Sequence, residues 1–329
     1  MSVVRDNLVL VPVFILWCAL GFMGWLFMWL NFRANFLAFC GLVMYLYCIF
    51  IGMAFSYYRI VQGGASSRPK RKRTITSKYA VDLSKKNMGD IDLEQYTLGG
   101  LVEHLNLSNN RLGTIDLSPL SKCPDLKSIN IGFNRLHHID LSPLQHCTQV
   151  EDIMVDDNLI EEIDLSPLAS CQSLAGLGLF GNRLEYIDLE PLKNCKNLRE
   201  LAVDENPMAH LNLEPLKGLR KLELLSISGL PVGKIDLTPL EKLKKLHFLT
   251  LAYMGLDDLD LTPLAGCINL DYLSIESNNL RTLDITPLVS CKKLDTFVTD
   301  SVTFYLAQEI QDTELPKALN KIRRRIKRI

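Results

Sequence analysis

The tripeptide Ile91-Asp92-Leu93 returns as Ile115-Asp116-Leu117, Ile139-Asp140-Leu141, Ile163-Asp164-Leu165 and Ile187-Asp188-Leu189, and the frame runs on without insertion to Leu283-Asp284-Ile285. Each of its nine copies stands 24 residues after the last. A fixed period of this length marks a chain built from stacked units. The apolar side chains of one such unit are too few to offset the entropy of ordering its backbone, so no unit folds alone. Stacking shares apolar surface between neighbours and makes the whole array one solenoid, which needs a cap at each end.

A second spacing precedes each tripeptide, L-x-x-L-x-L-x-x-N-x-L. It is seen at Leu126, Ile129, Ile131, Asn134 and Leu136, and again at Leu174, Leu177, Leu179, Asn182 and Leu184. The alternation Ile129, Asn130, Ile131 places two side chains inward and one outward, the pattern of a strand with one buried face. On the return segment, Ser118-Pro119-Leu120 predicts a helical turn with serine as N-cap and proline in its first turn. Glu190 and Glu214 replace that serine in two units, which predicts weaker caps there.

Together these spacings resemble the leucine-rich-repeat family over roughly residues 80–299. The resemblance implies an α/β solenoid, a curved right-handed coil with a parallel sheet on its concave side and the return segments on its convex side. It also implies a protein-binding function. Val81-Asp82-Leu83 reads as a degenerate first coil and Phe297-Val298-Thr299 as the last.

Because the period never slips, side chains can be read register by register. Cys123, Cys147, Cys171, Cys195, Cys267 and Cys291 share one register, in which Leu219 and Leu243 also stand. A position that accepts leucine asks for a small or medium apolar group, so the thiols read as core, not as a metal or disulfide ladder. Asn110, Asn134, Asn158, Asn182, Asn206 and Asn278 form another register, suited to satisfying the backbone of adjacent coils. Leu230 and Met254 interrupt it. His104, Ser128 and Asp152 align on three successive strands, but in a triad the histidine stands between nucleophile and carboxylate, whereas here the serine does. No phosphate-binding glycine loop and no zinc-ligand spacing occurs, so the chain reads as a non-enzyme without cofactor or metal.

The candidate partner-binding surface is the concave face. Asp152, Asp156 and Asp157 lie on one coil, and Glu200, Asp204 and Glu205 on the coil two further on. Between them stand Gly176, Gly178, Phe180 and Gly181, which predicts a glycine-floored surface with one aromatic anchor between carboxylate rows about 10 Å apart. Such a face suits a protein or peptide with a basic segment, with Phe133 and Tyr253 as outlying contacts. Two competing readings are a solvated acidic surface and a calcium site; calcium ligands normally converge from one compact loop. Nucleic acid is not an expected partner.

The repeats are preceded by two 23-residue stretches without a charged side chain, residues 8–30 and 36–58. Each is long enough to cross a bilayer, and five residues join them, which predicts a transmembrane hairpin over residues 1–60. A cleaved signal peptide is the competing reading of the first stretch, which is longer than the apolar core of such peptides. Residues 61–78 read as a basic linker. Its cluster Arg68, Lys70, Arg71, Lys72 and Arg73 favours the cytoplasmic side, so both termini and the repeats, residues 79–300, are expected there. Residues 301–329 read as a cap followed by a basic amphipathic helix, with Leu319, Ile322, Ile326 and Ile329 on one stripe and Arg323, Arg324 and Arg325 on the other face. That helix has three candidate uses: lying on anionic lipid, covering the open end of the solenoid, or blocking the acidic concave face. Two functions remain open, a membrane-anchored interaction scaffold and a membrane signalling component that assembles through its hairpin.

Overall fold

The computed structural model describes residues 79–329, which lie within one compact unit. The expected hairpin, the linker and the cluster Arg68, Lys70, Arg71, Lys72 and Arg73 lie outside the described residues. Among the described residues, no helix is long and apolar enough to cross a membrane.

The central alternation builds the sheet. Strands of three residues form at Ala80–Asp82, His104–Asn106 and Ser128–Asn130, and recur to Thr296–Val298. They pair in parallel, each with the strand of the next coil, as a 10-stranded sheet. The register is the repeat itself: Leu105 lies beside Ile129, Ile129 beside Ile153 and Ile153 beside Leu177. Those four side chains are buried, and so are Leu107, Ile131, Val155 and Leu179 two residues on, which makes one continuous core behind the sheet. The array is a parallel-stranded leucine-rich-repeat solenoid.

The return segments are tight 3-10 turns, among them Ser118–Lys122, Ser142–His146 and Ser166–Ser170, in place of α-helices. Proline sits in the first turn, where its missing N–H leaves no bond unmade. The cap is also not the serine. Asp116 Oδ1 accepts the Ser118 N–H at 2.8 Å, and Asp164 does the same for Ser166 at 2.8 Å. The aspartate of the repeated tripeptide therefore starts the turn. Its bonds from the Ser118 hydroxyl and N–H hold the Asp116 carboxyl below the usual carboxylate range. The weaker caps expected at Glu190 and Glu214 are not found: Asp188 accepts the Glu190 N–H at 2.9 Å and Asn212 the Glu214 N–H at 3.0 Å.

The two polar registers hold the coils together. Asn134 Oδ1 accepts the Leu112 N–H of the preceding coil at 3.1 Å, while its Nδ2 donates to Leu107 O at 3.1 Å and Ile131 O at 2.8 Å. All six repeat cysteines are buried and free, and each thiol faces a carbonyl of the coil before it, Cys147 that of Leu120 at 3.3 Å and Cys267 that of Leu240 at 3.3 Å. Burial pushes the Cys147 and Cys267 thiols up to about 12. They are core groups, not nucleophiles.

The end of the chain departs from the expected amphipathic helix. The helix spans only Lys317–Ile322, a 3-10 turn follows at Arg323–Arg325, and Ile326–Arg328 is a strand. That strand extends a second parallel sheet with Thr282–Asp284 and Thr303–Leu306. Leu319 is buried while Ile329 is 60% exposed, so the supposed stripe does not share one face. Leu315, Ala318 and Leu319 pack into the core, and the Ala318 N–H bonds Leu294 O at 3.0 Å, which covers the last coil. Arg325 lies 4.9 Å from the centre of the Phe304 ring and donates to the carbonyl of Asp300.

Candidate interaction surface

Outward positions of the strands and the residues just after them make the concave face. The residue that turns each coil away from its strand adopts a left-handed backbone, with φ of 59° at Asn109 and Phe133, 50° at Asp157, 51° at Glu205, 56° at Tyr253 and 57° at Ser277. Gly181 and Gly229, at 66° and 72°, fill the same place. This row is a rim along the sheet. A left-handed conformation is costly for a bulky side chain, yet Phe133 and Tyr253 hold it while 47% and 50% exposed.

Phe133 meets Phe180 edge to face, with ring centres 6.4 Å apart and planes at 74°. Asp157 is half-buried, its N–H donating to Phe180 O at 2.8 Å, Asp152 and Glu200 are half-buried beside Gly176 in register, and Glu205 is exposed on the rim. Of the expected aromatic groups, Phe133 and Phe180 meet, whereas Tyr253 stands three coils further on. Two of the carboxylates also bond within the fold. Asp156 is 7% exposed, and its Oδ1 accepts the Phe180 N–H at 3.1 Å. Asp204 Oδ1 accepts from the Ser226 hydroxyl at 2.5 Å and the Ser228 N–H at 3.0 Å. Both carboxylates tie neighbouring coils together, and Asp204 stays half-buried like Asp152 and Glu200.

The glycine floor is also covered. A Cβ on Gly178 would stand 2.5 Å from Asp156 Oδ1 and 2.7 Å from Met154 Sδ, so side chains of the preceding coil fold over it. Glycine is there to admit Met154 and Asp156, which leaves a filled notch and no pocket.

Sequence reasoning missed a neighbouring zone. Leu224, Phe248 and Tyr272 occupy the first position of three successive strands, the outward place that His104, Ser128 and Asp152 hold further up the sheet. Leu224 and Phe248 are 3% and 8% exposed, and the Phe248 and Tyr272 rings stack at 4.3 Å and 11°. Beside them run the small hydroxyl residues Ser226, Thr250 and Ser274. Apolar residues at outward strand positions were the available signal.

His104 Nδ1 and Ser128 Oγ are 2.8 Å apart, and Asp152 lies beside Ser128 in register. The serine thus stands between the other two, as its strand position requires. Among the described residues, no group of three or more histidine, cysteine or acidic side chains is arranged to hold a metal ion.

Residues 102–146 match the family described as Leucine Rich repeats (2 copies). An internalin from Listeria monocytogenes is similar in structure, with a TM-score of 0.59 and 25% identity over 76% of this chain and 66% of its own. The APL1 leucine-rich repeat domain is similar with a TM-score of 0.53 and 16% identity, over 69% of this chain and 57% of its own. The chain thus spans less than two thirds of the length of either structure. No curated protein matches it in sequence. Leucine-rich-repeat arrays in general present their concave side to other proteins.

Proposed function

We propose that this chain is a membrane-tethered interaction scaffold whose concave face holds a protein or peptide with a basic segment. The observation that supports the reading is the row of aromatic groups at outward positions of the concave side, the exposed Phe133 and the half-buried Tyr272 that stacks on Phe248, which a purely structural sheet would fill with polar groups. The Phe180 ring beside Phe133 and the carboxylates Asp152, Asp157, Glu200 and Glu205 continue that surface toward the middle coils. Aromatic anchors beside charges of one sign suit a partner that offers aliphatic stems and cationic heads together, as lysine and arginine do. The tether is supported by the two uncharged 23-residue stretches, and the cytoplasmic side by Arg68, Lys70, Arg71, Lys72 and Arg73.

Affinity capture from solubilised membranes tests the surface. Proteins retained by the native chain should be lost with Phe133→Ser, Phe180→Ser or Glu205→Lys, and kept with Tyr186→Ser, which changes a residue 69% exposed outside the sheet. Equal retention by all four variants would remove the concave face from the proposal. Exchange of residues 1–60 for an unrelated membrane anchor should leave capture intact; its loss would assign the hairpin a signalling part.

A further inference from the structure

Each coil ends, just before its next strand, in a pair of residues on one lateral edge of the solenoid. In the first coils these pairs are Pro124-Asp125, Thr148-Gln149 and Gln172-Ser173. Further on the edge turns basic, at Lys196, Arg220-Lys221, Lys244-Lys245 and Lys292-Lys293, all of them exposed. The coils stack in register, so these cations form one row, about 20 Å long at the spacing of paired strands. Among the described residues, Lys196, Arg220, Lys244, Lys245 and Lys293 take part in no ion pair. The opposite edge is mixed instead, with Glu161, Glu162, Asp257 and Asp258 in register with Lys234 and Arg281, all exposed.

A second observation separates this row from an ordinary solvated edge. In the coil between Lys244 and Lys292 the same place is taken by Ile268, an aliphatic side chain 47% exposed among lysines. An exposed aliphatic group flanked by flexible cations suits a bilayer interface, where ammonium groups meet headgroups and the apolar side chain sinks below them. A nucleic acid would favour planar guanidinium groups and stacking rings, whereas the row is all lysine but for Arg220 and carries no aromatic side chain.

We propose that this edge, from Lys196 to Lys293 with Ile268 at its apolar point, docks on anionic phospholipid headgroups. The inference rests on the tether proposed above for bringing the repeats to a bilayer. It adds a second, electrostatic contact that orients the solenoid and leaves the concave face to its partner.

The test uses the full chain in nanodiscs of phosphatidylcholine alone or mixed with phosphatidylserine, read by backbone hydrogen exchange across residues 242–246 and 266–270. Exchange there should slow several-fold in the anionic discs and recover in high salt. Each cation at the surface contributes on the order of fivefold in docking, so Lys244→Glu/Lys245→Glu should abolish the difference. Ile268→Ser should reduce it at unchanged charge. Lys234→Glu/Arg281→Glu, the same charge change on the other edge, should preserve it. Equal exchange in both discs, or equal loss in the control variant, would overturn the proposal. Slowing by added RNA that is indifferent to Ile268→Ser would overturn it in favour of nucleic acid. Failure of the tether shows separately, as failure of the chain to enter phosphatidylcholine discs. Sedimentation of the free chain with phosphatidylserine vesicles, lost in Lys244→Glu/Lys245→Glu, then decides the docking.

Discussion

Asn158 shows what the repeat asks of one side chain. Its Oδ1 accepts the Leu136 N–H at 3.1 Å, and its Nδ2 donates to Val155 O at 3.1 Å, Ile131 O at 3.2 Å and Asp156 O at 3.3 Å. Truncation leaves a buried N–H and several carbonyls short of partners. Asn158→Ala should therefore lower stability by about 2–4 kcal/mol in chemical denaturation, and a loss under about 0.5 kcal/mol would mean that water takes the place of the amide. The cysteines act in the other direction on pH. Burial raises the thiols of Cys147 and Cys267 to about 12 from the ordinary thiol value near 9.0, so the fold favours their neutral form. That contribution is complete below about pH 9 and is lost as pH rises from there toward the folded values. The thermal midpoint should fall more steeply above about pH 9 in the native protein than in Cys147→Ala/Cys267→Ala; parallel slopes would remove the thiols as its cause. Both registers were legible in the sequence because the same environment recurs at the same spacing. The turn cap was not, because Asp116 and Ser118 can both cap and stand two residues apart, and only the backbone decides which one begins the turn.

Strands and turns differ in how far their own residues determine them. The strands follow from alternation repeated in every coil, whereas the final segment carries two patterns at once. Leu319, Ile322, Ile326 and Ile329 have helical spacing, while Ile326-Lys327-Arg328 alternates as a strand would. Pairing with Thr303–Leu306 resolves the conflict in favour of the strand, a tertiary choice that local spacing does not encode. The concave zone at Leu224, Phe248 and Tyr272 was readable by contrast, since one register holds both the polar residues of the first coils and these apolar ones. The rim carries a testable cost. Tyr253 holds φ of 56° without a ring partner among the described aromatic contacts. A left-handed residue with a side chain costs about 1–2 kcal/mol, and glycine gives back about 0.5–1 kcal/mol through its freer unfolded chain. Tyr253→Gly should thus raise stability by about 0.5–1 kcal/mol in urea denaturation while weakening partner capture. A variant less stable than the native chain would show that the tyrosine ring contributes to the fold more than its backbone costs.

Over the whole array, stability is a sum of coils and of the seams between neighbours, so a weak seam divides the molecule. The asparagine ladder breaks where Leu230 and Met254 replace it, which leaves the coils that begin at Leu224 and Phe248 without that bridge to the coil before each. Across the same seams the concave side is tied by other groups. Asp204 binds Ser226 and Ser228 of the next coil, Ser226 Oγ lies 2.8 Å from Thr250 Oγ1 one coil further, and Ser228 Oγ accepts the Ala252 N–H at 3.0 Å. One carboxylate at the head of this chain of hydroxyl groups stands in for two amides. Asp204→Ala would leave Ser226 and the Ser228 N–H without their acceptor at the point where the ladder is already missing. The native repeats should unfold in one transition, and the variant in two, with hydrogen exchange accelerated first across residues 224–252 and later on either side. Asp204→Asn, which keeps an acceptor oxygen, should restore most of the cooperativity. A single transition at an unchanged midpoint in Asp204→Ala would show that apolar stacking alone carries these seams.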